Sequence, residues 1–269
     1  VMHLSSSYGV QVQDDCDDLV EYHCENIRRQ GFTVLDNAVS KEFLSEVEQK
    51  FSKILGDYRR KFDIEYLKSI DEHNGFRMPF YFDKFFLNLA MNELVLKIVS
   101  ALMGGNFVLN QQNAISNPGN ESYNQAKWHR DLPYSHYTSS RPLMINALFC
   151  IDEFKISNGS TRLIPGSHLF ENFPSEKFIT ENAITAETKG GSYIILDSML
   201  YHSSTHNSTP KPRRAINNVY STPHFKQQIN ISAENTKHLK LTPNEERLLG
   251  VGYKNFNSIG EYLNSRGNK

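Results

Sequence analysis

The chain has 269 residues, with 29 Lys and Arg against 30 Asp and Glu, for a formal net charge of −1. That length suits one sizeable core, and the balanced charge does not point to nucleic acid or another polyanion as partner. Cys16, Cys24 and Cys150 form neither a disulfide framework nor a paired metal knuckle. No apolar stretch approaches the ~20 residues needed to span a bilayer, and the N-terminus lacks a signal-peptide apolar core. A cytoplasmic protein without membrane insertion is expected.

The N-terminal third reads mainly as helix. Phe32-Thr33-Val34-Leu35 reads as a short strand opened by Gly31. Ser40 is an N-cap ahead of a helical stripe of Phe43, Leu44, Val47, Phe51, Ile54 and Leu55. The basic cluster Arg59-Arg60-Lys61 reads as a solvated helix end. A second helix starts near Asn92, carries Leu94, Val95, Ile98, Val99 and Leu102 on one face, and stops at Gly104-Gly105.

From residue 106 the texture changes to short strands, at 106–115, 143–151, 162–164, 192–196 and 215–221. Asn117-Pro118-Gly119, Asn158-Gly159, Pro165-Gly166 and Gly190-Gly191 punctuate them. In an unbroken first strand, Phe107, Leu109, Gln111, Asn113 and Ile115 share one face. Cys150 falls in an apolar run and reads as core. Short strands without long intervening helices predict an antiparallel sandwich or jelly roll, with the earlier helices buttressing one sheet. Thr242-Pro243-Asn244-Glu245 opens a final helix with an N-cap and a capping-box Glu. The chain therefore reads as a single domain: helices at about 15–105, a β core at about 106–222 and a helical tail.

The chemistry concentrates in Trp128-His129-Arg130-Asp131. On a strand, residues two apart point to the same side, so His129 and Asp131 can share one metal ion. By itself a His-x-Asp triplet is weak, because a surface or hydrogen-bonded core histidine beside an aspartate is common. A third ligand must come from elsewhere. Two imidazoles and one carboxylate on one face of an octahedron leave the positions open that Fe(II) oxygenases need. His202 and His206 both follow the strand at 192–196 and compete for that place. Arg213, eleven residues after His202, can hold a dicarboxylic acid in a two-pronged pair. Arg214 is its rival, and neighbours in a strand face opposite ways, so only one of the two faces inward.

Five segments carry a resemblance: W-H-R-D at 128–131, N-G-S-T-R-L-I-P-G-S-H at 158–168, G-S-Y-I-I-L-D at 191–197, L-Y-H-S-S-T-H-N at 200–207 and R-R-A-I at 213–216. In order and spacing they resemble the phytanoyl-CoA dioxygenase family of Fe(II)- and 2-oxoglutarate-dependent oxygenases. The resemblance covers roughly residues 106 to 222, with the N-terminal helices looser. It implies a mainly β fold with flanking helices around a double-stranded β-helix, the cupin-like jelly roll.

It also implies roles. His129, Asp131 and His202 correspond to the iron ligands, which sets His206 aside. Arg213 corresponds to the clamp on the distal carboxylate of 2-oxoglutarate, in preference to Arg214. Ser204 stands where a hydroxyl helps that clamp, and Gln111 and Asn113 lie on the strand that faces cosubstrate or substrate. His168 reads as structural. His136, His224 and His238 read as surface or satisfied histidines. Trp128 packs beside the site, and Tyr123, Tyr134 and Tyr137 flank its entrance.

The family's chemistry uses Fe(II), 2-oxoglutarate and O2, with ascorbate as a stimulant, on a small-molecule substrate. Halogenases with a similar core replace the carboxylate with a small residue; the presence of Asp131 favours hydroxylation. Desaturation, cyclisation or epimerisation use the same ligands. A silent iron or 2-oxoglutarate binder is the non-catalytic alternative. Pocket residues are expected from the loops at 57–90, 117–127 and 132–142, where Arg59, Lys127, Arg130 or Arg141 could hold an anion. The protein is expected to be a monomer or homo-oligomer.

Overall fold

The computed structural model describes residues 5–7, 10–12, 18–121, 123–132, 139–231, 236–253, 256 and 258–267. For the first pair of strands, β1 (Ser5–Ser7) and β2 (Val10–Val12), it describes the backbone alone. Cys16, Tyr134, His136 and Tyr137 lie outside the described residues.

Helix α1 (Leu19–Gln30) is capped by the Asp18 carboxylate and stopped by Gly31, whose N–H donates to the Ile27 carbonyl. Strand β3 (Phe32–Leu35) follows directly. Helix α2 (Lys41–Lys61) starts at Ser40, whose hydroxyl accepts from the Phe43 N–H, and buries Val47, Phe51 and Ile54. Its basic end is satisfied locally. Arg59 donates to the His73 carbonyl at 2.7 and 2.9 Å, and Arg60 pairs with Asp57.

Next come α3 (Ile64–Ser69), β4 (Gly75–Arg77), α4 (Pro79–Phe82) and α5 (Leu87–Ala90). Helix α6 (Glu93–Met103) has the expected Asn92 cap and Gly104 stop. The core strands are β5 (Val108–Asn117), β6 (Met144–Cys150), β7 (Thr161–Leu163), β8 (Ile184–Ala186), β9 (Ser192–Asp197), β10 (His202–Ser204) and β11 (Arg213–Ser221). Helix α7 (Glu176–Asn182) lies between β7 and β8. Beyond the strands, helix Pro243–Leu249 opens with the expected capping box.

The strands form an antiparallel sheet of six, ordered β3-β9-β6-β11-β5-β4, and one of three, ordered β10-β7-β8. This is the jelly roll. Among the described residues helix exceeds strand, 40% to 23%, so the β character belongs to the core and helices flank it. Both faces of the large sheet are covered, and alternate residues serve different faces. Ile145, Phe149, Tyr193, Ile195, Ile216 and Tyr220 pack on the helices with Phe51, Phe76 and Phe86. The Tyr193 and Tyr220 hydroxyls tie the sheet to that layer by donating to the Leu89 and Ala90 carbonyls, each at 2.8 Å. On the opposite face Leu148, Cys150, Ile194, Leu196 and Ala215 meet Phe154, Leu163, Ala186 and Leu200. Burial pushes the Cys150 thiol far up, as expected of a core residue.

One expectation needs correction. Val219 pairs with Gln111 but Tyr220 pairs with Leu109, so β5 carries a bulge at Asn110. The Asn110 amide is held by the Ser221 hydroxyl at 3.0 Å and the Lys226 carbonyl at 3.1 Å. The extra residue reverses the alternation. Gln111, Asn113 and Ile115 face the inner cavity, while Leu109 and Phe107 turn to the helices.

No single helix among the described residues is long and apolar enough to cross a membrane. The bent pair Lys84–Ala90 and Glu93–Met103 passes on length and composition only, and its Leu87, Leu89, Val95 and Ile98 are core residues, at most 1% exposed.

Gly31 links α1 to β3 at φ +87°, and a Cβ there would fall 2.5 Å from Leu200 Cδ1 and 2.6 Å from His168 Nδ1. Gly31→Ala is expected to lower the unfolding free energy by roughly 1–3 kcal/mol. Chemical denaturation measures it, and an unshifted midpoint would show the junction to be slack.

Candidate metal centre

His129 and His202 face each other across an isolated antiparallel bridge. Each backbone N–H donates to the other's carbonyl at 3.0 Å. Residues directly opposite in such a pair project on the same side. The register therefore puts the two rings together, with centroids 4.3 Å apart. Two residues on, the Asp131 N–H donates to the Ser198 carbonyl at 3.1 Å, which brings its carboxylate to the same side. Asp131 Oδ1 lies 3.6 Å from His129 Nε2 and 3.8 Å from His202 Nε2. The three ligand atoms all fall within 4.8 Å of one another.

The neighbours orient these groups. His129 Nδ1 lies 2.8 Å from the Lys127 carbonyl and His202 Nδ1 lies 2.9 Å from the Leu200 carbonyl. A carbonyl only accepts, so each Nδ1 carries the hydrogen and each Nε2 presents a lone pair. Burial also holds His202 below the ordinary imidazole range, which keeps it neutral. The Asn146 amide donates to Asp131 Oδ2 and accepts from the Ser198 hydroxyl. One carboxylate oxygen is thereby engaged, and the other is turned to the histidines. Two neutral imidazoles and a carboxylate suit a divalent iron-type ion.

Arg213 ends the same cavity, which measures about 300 Å³. The side chain is 4% exposed, and among the described residues it forms no ion pair. Its Nη2 donates to the Gly159 carbonyl at 2.6 Å and reaches the Ser204 hydroxyl at 3.4 Å, while its buried Nε has no partner. The guanidinium carbon sits 4.2 Å from the Phe154 ring centroid. Burial lowers its pKa. A buried, unpaired guanidinium with an orphaned donor fits a carboxylate from a ligand.

The Gly159 carbonyl is the hub here. It also accepts from the Ser204 hydroxyl at 2.9 Å and the Asn117 amide at 3.2 Å. Gly159 sits at φ +85°, and a Cβ would meet Asn117 Nδ2 at 2.1 Å, which accounts for glycine in N-G-S-T-R.

Gln111 and Asn113 line the cavity, as do Tyr123 and residues of the turn and strand at 71–77. Burial pushes the Tyr123 phenol up to about 12, so it stays protonated. His206 is exposed and stands apart from the triad. Arg214 turns outward to Asp152 at 2.6 Å and Glu48 at 3.4 Å. His168 is structural, but its Nε2 partner is the distant Arg28 carbonyl at 3.2 Å and not its own turn. His238 Nε2 meets the Tyr81 carbonyl at 3.0 Å. Trp128 stacks under the Arg162 guanidinium at 4.7 Å.

Arg130 does not serve as an anion site. It is a structural clamp, donating to the carbonyls of Met199, Ser167, Glu171 and Phe170. Asn146, Asn217 and Gln228 are cavity residues that sequence reasoning missed, whereas Arg77 falls in the 57–90 stretch expected to line the pocket. Asn146 was findable in principle, since it has the inward parity of Leu148 on β6.

Two outcomes follow from this geometry. Asn146→Leu is expected to weaken Fe(II) binding roughly 10- to 100-fold, because the carboxylate loses its orienting donor. Metal titration with circular dichroism as a folding control reads this directly. Asp197, at the end of β9, is raised by burial to about 6, against the pull of the Met199 N–H. Its folded pKa lies above its unfolded value, so its stabilising contribution is complete below about pH 4 and is lost as pH rises through about 6. Asp197→Asn keeps the acceptor for Met199, 2.8 Å away in the native pair. It is expected to add roughly 1–3 kcal/mol of stability at pH 8 and to flatten the profile between about pH 4 and 6. Unfolding at both pH values decides the point.

The family profile for phytanoyl-CoA dioxygenase (PhyH) matches residues 27–215. The protein Mb1539 of Mycobacterium bovis is 27% identical over 206 residues, covering 74% of each chain. EctD from S. alaskensis, solved with 2-oxoglutarate and 5-hydroxyectoine, shares the fold with a TM-score of 0.65 at 20% identity, covering 78% of this chain and 79% of that one. SnoN, a non-heme alpha-ketoglutarate-dependent epimerase from nogalamycin biosynthesis, gives a TM-score of 0.57 at 17% identity, covering 76% and 81%. The two solved structures speak for the jelly roll; the profile match spans most of the sequence. The chain belongs to the phytanoyl-CoA dioxygenase family of Fe(II)- and 2-oxoglutarate-dependent oxygenases.

Proposed function

We propose that this protein, acting as one oxygenase domain, hydroxylates an unactivated C–H bond of a small molecule. Buried, unpaired Arg213 in the same cavity as the His129, Asp131 and His202 triad carries the reading. In it, His129, Asp131 and His202 hold Fe(II), and Arg213 holds the distal carboxylate of 2-oxoglutarate. When bound, the iron and 2-oxoglutarate supply O2 activation coupled to decarboxylation, giving succinate and CO2.

The chain's own groups do the positioning. The Ser204 hydroxyl and the Gly159 carbonyl fix the guanidinium through its Nη2, which leaves the rest of the group for a ligand carboxylate. Ile115, Leu148 and Leu196 line the cavity and exclude water from the cosubstrate. Gln111 and Asn113 offer amides to cosubstrate or substrate. Asp131 occupies the position that a halogenase leaves to halide, which supports oxygen insertion.

His202→Ala is expected to abolish both Fe(II) binding and 2-oxoglutarate turnover, whereas His206→Ala keeps measurable activity. Succinate formation with Fe(II), O2 and ascorbate is the assay. Full turnover in His202→Ala would sink the assignment, and a product that gains no oxygen would rule out hydroxylation.

A further inference from the structure

The cavity has two chemically different ends. Ile115, Leu148 and Leu196 belong to the apolar cluster between the sheets, at the Arg213 end. Toward β4 the wall is almost wholly polar. Arg77 projects from β4 and is held by Glu72, with its Nε 2.9 Å from Glu72 Oε2 and a second contact from Nη2. The Asn113 amide lies among Gln111, Gln228 and Arg77. Across the strand pair from Asn113 stands Asn217, whose Oδ1 is buried without a donor.

Each of these side chains is planar and offers hydrogen bonds, and each amide offers both a donor and an acceptor. A hydroxyl group is likewise both donor and acceptor. Within the wall Glu72 engages Arg77 and the Asp71 carboxylate lines the same cavity, so positive charge is not in surplus there. Among the described residues, Arg213 is the only other Lys or Arg lining the cavity, and in the proposed function it is taken by the cosubstrate. Among the described residues the outer chamber therefore holds no cation left over to bind a phosphate or carboxylate. Among the described residues it also lacks the continuous apolar wall that an acyl chain or a terpene skeleton needs, since Phe76 and Ala114 belong to the core on the helix side. An apolar ligand would leave Asn217 Oδ1 and the remaining hydrogen-bonding positions of these amides unmet, a mismatch that costs about 10⁴-fold in specificity at sites built for hydrogen bonding.

From this juxtaposition we propose that the substrate is a small, uncharged, polyhydroxylated molecule of sugar type, recognised by Gln111, Asn113, Gln228 and the Glu72–Arg77 pair. Tyr123 lines the same cavity, within reach of the charges of both Arg213 and Arg77, and contributes a flat ring and a protonated hydroxyl. The inference rests on the iron and 2-oxoglutarate reading and specifies what that site oxidises.

The test has two stages. The intact protein is first given Fe(II) and 2-oxoglutarate without oxygen; a visible charge-transfer band establishes the cosubstrate complex, and its absence overturns the earlier reading and this one with it. With the band present, succinate formation under O2 is measured against two sets of compounds. One set holds neutral methyl glycosides of hexoses and deoxyhexoses together with inositol. The other holds medium-chain fatty-acid amides and a sterol. At least one member of the first set is expected to stimulate succinate formation tenfold or more, and none of the second. Gln228→Leu, at the exposed mouth, is expected to raise KM for that sugar tenfold or more while the anaerobic band persists. Stimulation by the apolar set, or no response to any neutral sugar from a protein that shows the band, overturns the proposal and leaves the iron and 2-oxoglutarate reading standing. An unchanged KM in Gln228→Leu removes Gln228 and the outer wall from recognition, which also overturns it.

Discussion

The large sheet must be buried on both faces, and the rest of the molecule follows from that constraint. Strands β6 and β9 are buried at every position. An α-helical layer covers one face, and the second sheet and the cavity cover the other. Each strand therefore speaks two languages in alternation. In β11, Ile216 and Tyr220 face the helices while Arg213 and Asn217 face the cavity. A polar residue at inward parity is tolerated only where a partner or a ligand satisfies it. The inward polar residues of β5, β6 and β11 are thus concentrated around the candidate metal centre and Arg213.

The same constraint appears on the helix side as a structural network. The Gln112 amide accepts from the Phe80 N–H at 3.0 Å and donates to the Phe86 carbonyl at 2.9 Å and to Asn218 Oδ1 at 2.7 Å. Asn218 in turn donates to the Ala147 carbonyl at 3.1 Å. This chain anchors the segment after β4 to the middle of the sheet, which fixes the position of the cavity's outer wall. Rigidity there matters because recognition by planar amides depends on their orientation.

Ligand geometry at the metal centre is set by backbone pairing more than by side-chain packing. The bridge between His129 and His202 forces the rings onto one side, and the carbonyls of Lys127 and Leu200 set their tautomers. Asn146 and Ser198 then hold Asp131. The triad is built by strand register.

Much of this was legible in the sequence, because capping boxes, helical stripes and strand alternation are local signals. Ser40, Asn92, Gly104 and Thr242 mark helix ends by chemistry that needs no distant partner. His129 and Asp131 stood out as residues two apart on a strand, and His202 and Arg213 were singled out by the resemblance of their segments to the family. What local signals could not decide was anything set by a distant partner. The bulge at Asn110 depends on Ser221 and Lys226, and it moved Phe107 and Leu109 to the opposite face from Gln111. Arg130 is claimed by four carbonyls from residues 167–199, and Asn146 reaches Asp131 only after the sheet closes. The sequence by itself determined the ligand types and the two-faced strands, since those follow from residue chemistry and period. Only the tertiary structure decided which polar side chains share one chamber, because that depends on register between segments far apart in the chain.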